Sequence, residues 1–286
     1  MYQKLSKSGT DIPSLGLGTW DLKKSECSRV VSEALDLGYR HIDAAAMYEN
    51  ESEVGAGIID SRVDRADLFL ATKINTLSWT PSGGQGPQLQ NKNIIKSLEK
   101  SLEDLKTDYV DLLLIHWPKF ETNLGDMLEI MYEIKASQKA TEIGVANFNS
   151  NLLKECVNLG FNDLFCNQIE YHPFLSQSKL LDTMKSLDII PVAYCPICRG
   201  DVAKDDVIIN LSEKYSKSPA QIALRWIIQQ NAVAIPKTAN LGRLKENSNI
   251  YDFSLDESDM EQIFGLHRNQ RLVPNLKSNE SLYPWD

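Results

Sequence analysis

Eight short apolar runs, each followed by a turn and an amphipathic stretch, set the strongest constraint on this chain. The runs are GLGTW near Gly16, RHIDAA at Arg40, LFLATK at Leu68, YVDLLLIHW at Tyr109, EIGVANF at Glu142, FCNQIEY at Phe165, IIPVAYCP at Ile189 and VAIPKT at Val233. The stretches between them, such as SECSRVVSEALDLG from Ser25 and NIIKSLEKSLEDL from Asn93, carry apolar residues at spacings of three and four, the helix period. SPAQIALRWIIQQ begins with Ser218 as a cap and Pro219 at the first helical position. Strands alternating with helices pair in parallel, because a parallel neighbour requires a long crossover. Eight such units predict a closed (β/α)8 TIM barrel, with an open doubly wound sheet as the alternative.

The chain of 286 residues, with no linker or low-complexity tract, is then expected to form one barrel domain over 1–286. Two pieces lie outside the repeat. YQKL and IPSL around Ser8-Gly9 predict an N-terminal β-hairpin capping one end. The tail from Arg268, RNQRLVPNLKSNESLYPWD, has no period and reads either as a C-terminal loop over a site or as a frayed terminus. Leu77 to Gln90, rich in Gly, Ser and Pro, reads as a loop.

Composition narrows the partners. A net charge of −9 argues against a broad basic face for nucleic acid or anionic lipid, while leaving room for one small basic pocket. No apolar run approaches the roughly 18 residues of a membrane span, and the start lacks an apolar signal segment. Five cysteines, an odd number in a long chain, fit a reducing compartment, so a cytoplasmic location is expected. The sequence sets no oligomeric state and is compatible with a monomer.

Several local patterns resemble binding motifs and fall short. Gly16-Leu-Gly18 opens like a dinucleotide fingerprint, but Asp21 stands at the third glycine. Gly83-Gly84-Gln85-Gly86 has no following Lys-Ser/Thr. Cys195-Pro-Ile-Cys198 has no second thiol pair for a zinc site, and the four histidines show no ligand spacing, so no metal centre is expected.

Strand parity locates the chemistry. Side chains two apart share a face, so His41 and Asp43 fall together, Lys73 ends the face of Phe69 and Ala71, and His116 ends that of Leu112 and Leu114. If those faces point inward, Asp43, Lys73 and His116 sit at the C-terminal ends of the second, third and fourth strands, where barrel enzymes place their chemistry. Tyr48 hangs from a loop over the same mouth, ahead of a capping-box-like helix start at Asn50 and Glu53. One polar residue at a rim is ordinary; four converging on one rim are not.

At these residues the sequence resembles the aldo-keto reductase family. IDAAAMYENESEVG carries the family's Asp and Tyr, ATKI its Lys and LIHWP its His, and GVANFN, NQIEYHP, AYCPICRG and the IPKT run follow in order over nearly the whole chain. The ending ESLYPWD is similar to the group of bacterial 2,5-diketo-D-gluconate and methylglyoxal reductases. The resemblance implies NADPH-dependent reduction of small aldehydes or ketones, such as 2-oxoaldehydes or keto-sugar acids, with Tyr48 as general acid. Lys73 is expected to lower the phenol's pKa, Asp43 to hold Lys73, and His116 to orient the carbonyl oxygen. It further implies that Asn147 and Gln168, ending the fifth and sixth strands, hold the nicotinamide carboxamide and that Tyr194 stacks on its ring. Cys195 to Gly200 would pass the pyrophosphate. Lys237, Thr238 and Arg243 around a helix N-terminus near Leu241 would take the adenosine 2′-phosphate, with Glu246 and Asn247 toward the adenine. Trp20, Trp79 and Trp117, with Tyr283 or Trp285, would wall the substrate pocket.

Three positions depart from the family pattern. Ala146 stands where Ser is usual and Ala44 where Thr is usual. Cys195 and Cys198 occupy a loop that more often reads Ser-Pro-Leu-Gly, so oxidation there is expected to weaken cofactor binding. Two other readings are a non-catalytic NADPH-binding or sensing barrel, and a lyase using Lys73 as a Schiff base.

Overall fold

The computed structural model describes residues 3–74, 91–118, 123–273 and 285–286, with the side chains of 91–93 excepted. The N-terminal hairpin pairs β1 (Lys4–Lys7) with β2 (Thr10–Pro13), Lys7 opposite Thr10. Its two-residue turn has Ser8 at φ 55° and Gly9 at φ 84°, the doubly left-handed form that matches strand twist.

Eight parallel strands follow in consecutive order: β3 (Leu17–Gly18), β4 (His41–Asp43), β5 (Phe69–Ile74), β6 (Val110–Ile115), β7 (Ala140–Ala146), β8 (Cys166–Glu170), β9 (Ile190–Tyr194) and β10 (Val233–Ala234). They occupy the eight predicted runs. The sheet closes at its seam: Leu15 bridges Ala234 in parallel, Gly16 N donates to Ala234 O at 2.9 Å, and Ala234 N donates to Ser14 O at 2.8 Å. This is the predicted (β/α)8 barrel. The two seam strands are short because Pro236 has no N–H for the ladder. Gly16 and Gly18 belong to that seam and not to a phosphate loop. A Cβ on Gly16 would stand 2.7 Å from the His41 ring, and one on Gly18 would stand 2.8 Å from Ile235 O.

The helices described are α1 (Lys24–Asp36), α2 (Glu51–Ser61), α3 (Asn91–Leu105), α4 (Leu124–Ala136), α5 (Ser150–Asn158), α6 (Ser178–Ser186), α7 (Asp206–Tyr215), α8 (Pro219–Ile228), α9 (Leu241–Ser248) and α10 (Glu257–Phe264). Alternation along the strands divides the core in two. Ile42, Leu70, Leu113, Val145 and Ile169 pack outward with helix side chains such as Val30, Leu98 and Leu128. Phe69, Ala71, Leu112, Leu114, Phe165 and Val192 pack together inside, as parity predicts. Ile12 of the hairpin is fully buried among those interior residues, and Lys7 Nζ donates to Leu164 O just ahead of β8. The hairpin thus plugs the end at which the strands start.

Helix α8 opens as predicted: Ser218 Oγ accepts from Gln221 N while the Gln221 side chain accepts from Ser218 N. The capping box expected at Asn50 does not form. Asn50 precedes α2, but its Nδ2 donates to Thr19 O and to Leu22 O, each at 2.9 Å, tying down the turn that carries Trp20.

Candidate active site

Lys73, on the inward face of β5, is fully buried, as is Asp43 at the end of β4. Its Nζ donates to Asp43 Oδ1 at 2.6 Å, to Ala44 O at 2.7 Å and to Tyr48 Oη at 3.3 Å. An ammonium has three donors, and all three are engaged. Tyr48 ends a single 3₁₀ turn, Ala46–Tyr48, that carries it over the strand ends. His116, one residue past β6, meets the Tyr48 ring edge-on with centroids 5.6 Å apart. The four residues singled out from parity and loop position therefore converge on one buried corner at the C-terminal end of the barrel.

Burial sets the protonation states. His116 is held well below its ordinary pKa by desolvation, with the Lys73 charge adding to the effect, so its ring is neutral at pH 7. Its Nδ1 is buried and has no hydrogen-bond partner among the described residues. Lys73 is lowered by desolvation and supported by Asp43. The expectation that Lys73 lowers the Tyr48 pKa is corrected: the phenol is pushed well above its usual value, first by burial and then by the Asp43 and Cys195 groups. In a low dielectric, the cost of a bare phenolate exceeds what one ammonium at 3.3 Å returns.

The residues expected to hold a nicotinamide line the same corner and bond to one another. Gln168 lies in the middle of β8, which runs on to Glu170, so it does not end the strand; its Nε2 donates to Asp43 Oδ2 at 2.7 Å. Asn147, at φ 64° just past β7, donates through Nδ2 to His116 O and accepts through Oδ1 from Tyr194 Oη at 2.8 Å. Ala146 and Ala44 are buried, and Ala44 contributes its carbonyl to Lys73. Cys195 and Cys198 follow β9 in a turn closed by Cys198 N donating to Cys195 O. Burial pushes their thiols up to about 11 and about 12, which leaves little thiolate for oxidation.

At α9, Asn240 caps the helix by accepting from Arg243 N, and Thr238 Oγ1 accepts from Asn240 N. Lys237 and Arg243 are exposed, and neither has an acidic partner among the described residues. Asn247 is buried, while the Glu246 carboxylate accepts from Ser218 Oγ. Trp20 is half exposed at the rim and Trp117 is buried beside His116. Trp79 and Tyr283, with the whole Leu77–Gln90 loop and its glycines, lie outside the described residues. Among the described residues no His, Cys, Asp and Glu group is arranged to hold a metal, and no helix is long and apolar enough to cross a membrane.

Sequence reading missed the anchors of the tail. The Glu170 carboxylate accepts from Leu272 N at 2.6 Å and from Val273 N at 2.9 Å. Trp285 packs against Trp117 with centroids 6.4 Å apart, and Asp286 Oδ2 accepts from Ser150 N and Oγ at the start of α5. Hence the described parts of the tail lie over the site. Only the acidic character of Glu170 at the end of a fully buried strand hinted at this.

Comparison with known proteins gives the family of the chain. Residues 14–267 match the profile of the Aldo/keto reductase family. A glyoxal reductase of Bacillus subtilis (strain 168) is 36% identical over 94% of this chain and 94% of its own length. The methylglyoxal reductase DkgB of Escherichia coli O157:H7 is 36% identical over 96% of this chain and 99% of its own. A solved protein described, provisionally, as 2,5-diketo-D-gluconic acid reductase B superposes with a TM-score of 0.91 at 36% identity, covering 100% of this chain and 98% of that one.

Proposed function

The chain belongs to the Aldo/keto reductase family, and from that premise we propose that it reduces small aldehydes or ketones to alcohols with NADPH, Tyr48 acting as general acid. The observation that carries the reading is the buried Asp43–Lys73–Tyr48 series beside His116, with Lys73 Nζ at 2.6 Å and 3.3 Å from its two neighbours. Carbonyl reduction itself is the chemistry of the family; the cofactor and the roles of individual residues are our assignment.

When bound, a reduced nicotinamide supplies the hydride that attacks the carbonyl carbon. The residues of the site fit such a group. Among the described residues, Lys237 and Arg243 are two cations without carboxylates beside the N-terminus of α9, where unpaired N–H groups favour a phosphate. The Asn147 and Gln168 amides and the Tyr194 ring border the corner in which a carboxamide and a pyridine ring would lie.

The remaining work falls to this chain. The substrate oxygen sits between Tyr48 Oη and the neutral imidazole of His116. As the carbonyl carbon gains hydride, its oxygen takes on alkoxide charge, which donors aimed at it stabilise. Tyr48 gives up its proton: its O–H bond breaks, the product O–H bond forms, and the phenolate left behind faces the Lys73 ammonium. A phenol held above its ordinary pKa stays protonated through neutral pH, so the acid is loaded for reduction. Asp43, held across the barrel by Gln168, keeps Lys73 charged and in place. The same hydrogen bonds speak against a Schiff-base lysine, whose amine would have to be free and neutral.

The test is NADPH consumption, followed by absorbance, over methylglyoxal, a keto-sugar acid and an aromatic aldehyde. Oxidation coupled to at least one of them is expected. NADPH binding with no consumption across the panel would instead favour a sensing barrel.

A further inference from the structure

Glu51, the first residue of α2, is a buried carboxylate that the reduction proposed above leaves without a part. Its bonding partners are two buried hydroxyls. Oε1 accepts from Thr72 Oγ1 and Oε2 accepts from Ser101 Oγ at 2.8 Å. With both oxygens accepting, the group is satisfied as a carboxylate and not as an acid. It forms no ion pair among the described residues, and burial raises its pKa against the pull of the two hydroxyl bonds. A glutamine of the same shape could bond to both hydroxyls without the cost of burying a charge. A charge kept at that cost next to a reactive corner points to a role for the charge itself.

The neighbours of Glu51 show what it holds. Thr72 lies on the helix-facing side of β5 with Leu70 and Ile74, and Lys73, the next residue, lies on the interior side. Toward the N-terminus, Glu51 follows Tyr48 by three residues, through Glu49 in the left-handed region at φ 56° and then Asn50. Asn50 fastens this turn to Thr19 O and Leu22 O, and Glu51 fastens it to β5 and, through Ser101, to α3. The turn that carries the proton donor is thus tied to the residue beside the ammonium it faces. Two charges act on Glu51: Asp104 of α3 opposes its ionised form and Lys73 favours it. Lys73, lowered by burial, is supported by Asp43, then by Glu51 and Cys166. Tyr48 is raised by burial, Asp43 and Cys195.

We propose that Glu51 is a positioning residue of the reduction: it fastens the turn carrying Tyr48 to the strand carrying Lys73, and its charge behind β5 helps to keep Lys73 an ammonium. This rests on the carbonyl-reduction reading above. The phenolate left on Tyr48 faces a cation 3.3 Å away that could hand over its own proton. A second carboxylate near Lys73, beyond Asp43, makes that loss costlier. The positive charge therefore outlasts the phenolate it stabilises.

The experiment follows kcat and KM for a reducible aldehyde with NADPH from about pH 6 to about pH 10 in wild type, Glu51→Gln and Glu51→Asp, with thermal melts confirming the fold. Glutamine keeps the length and loses the charge. Removing an anion lowers the pKa of a nearby ammonium, so the alkaline fall in kcat should begin at least about half a pH unit lower, with KM at neutral pH within about twofold of wild type. Aspartate keeps the charge but is too short to span both hydroxyls, so kcat should fall about tenfold or more with the alkaline fall where wild type has it. An unshifted alkaline limb in Glu51→Gln, or an aspartate variant as fast as wild type, would overturn the proposal. If the glutamine variant does not fold, the kcat of the aspartate variant decides alone. A second arm needs no turnover: with carbon-13 at lysine Cε, the Lys73 signal, identified by its absence from Lys73→Met, is titrated by NMR. A lower midpoint in Glu51→Gln than in wild type upholds the charge role even if no aldehyde is reduced. The same midpoint in both rejects it, whatever becomes of the reductase reading.

Discussion

Lys73 has no access to solvent, and Asp43 has almost none, so each depends on the other for its charge. Removing one partner strands a buried ion, whereas removing both need not. Lys73→Met should therefore lower unfolding stability by about 3–5 kcal/mol, and Asp43→Asn/Lys73→Met should recover a substantial part of that loss in urea denaturation. Equal losses in the single and double variants would mean that the pair carries no coupling. The residue scale was also where the sequence was most legible. Parity in RHIDAA, LFLATK and DLLLIHW was enough to group Asp43, Lys73 and His116 with the Phe69/Ala71 and Leu112/Leu114 faces, and the closed barrel turns those faces inward. It was silent on Gln168 donating to Asp43 across the barrel, a contact between strands far apart in sequence. It also misjudged the direction of the Tyr48 pKa, since burial is a property of the closed barrel and not of the motif.

At the scale of elements, the N-terminus of α9 is the segment with a ligand-directed charge pattern. Arg243 has no acidic partner among the described residues and stands one turn into a helix whose Asn240 cap satisfies one N–H. If that end receives the 2′-phosphate, Arg243→Ala should weaken NADPH binding about tenfold, in line with a lost charge-assisted bond, while NADH binding stays the same. Cofactor fluorescence titrations give both constants, and an unaltered NADPH/NADH ratio would discredit the anion site. Helix caps show how far local patterns reach. Ser218 with Pro219 and Gln221 behaved as written, because every partner lies within one turn. Asn50 with Glu53 had the same look and did not, because its amide is claimed by Thr19 O and Leu22 O from a loop remote in sequence. Gly16 and Gly18 followed the same logic: two glycines readable as a phosphate loop serve a seam where His41 and Ile235 come too close for a Cβ.

The whole molecule separates stability from chemistry by end. The hairpin and Ile12 fill the barrel where strands begin, while Asp43, Tyr48, Lys73, His116 and the described parts of the tail gather where strands finish. Eightfold alternation made the barrel legible, since eight consecutive parallel strands joined by helical crossovers close naturally into this arrangement. The aperiodic tail carried no such signal. Its placement depends on side-chain anchors, Glu170 and Asp286, that only the folded barrel brings into reach. The proposed reduction turns on a single proton. NADPH oxidation by a reducible aldehyde, measured side by side in wild type and Tyr48→Phe with NADPH affinity determined for both, tests that directly. Loss of a general acid predicts turnover reduced by about 10²–10⁴-fold at unchanged NADPH affinity; turnover within about threefold of wild type would contradict it.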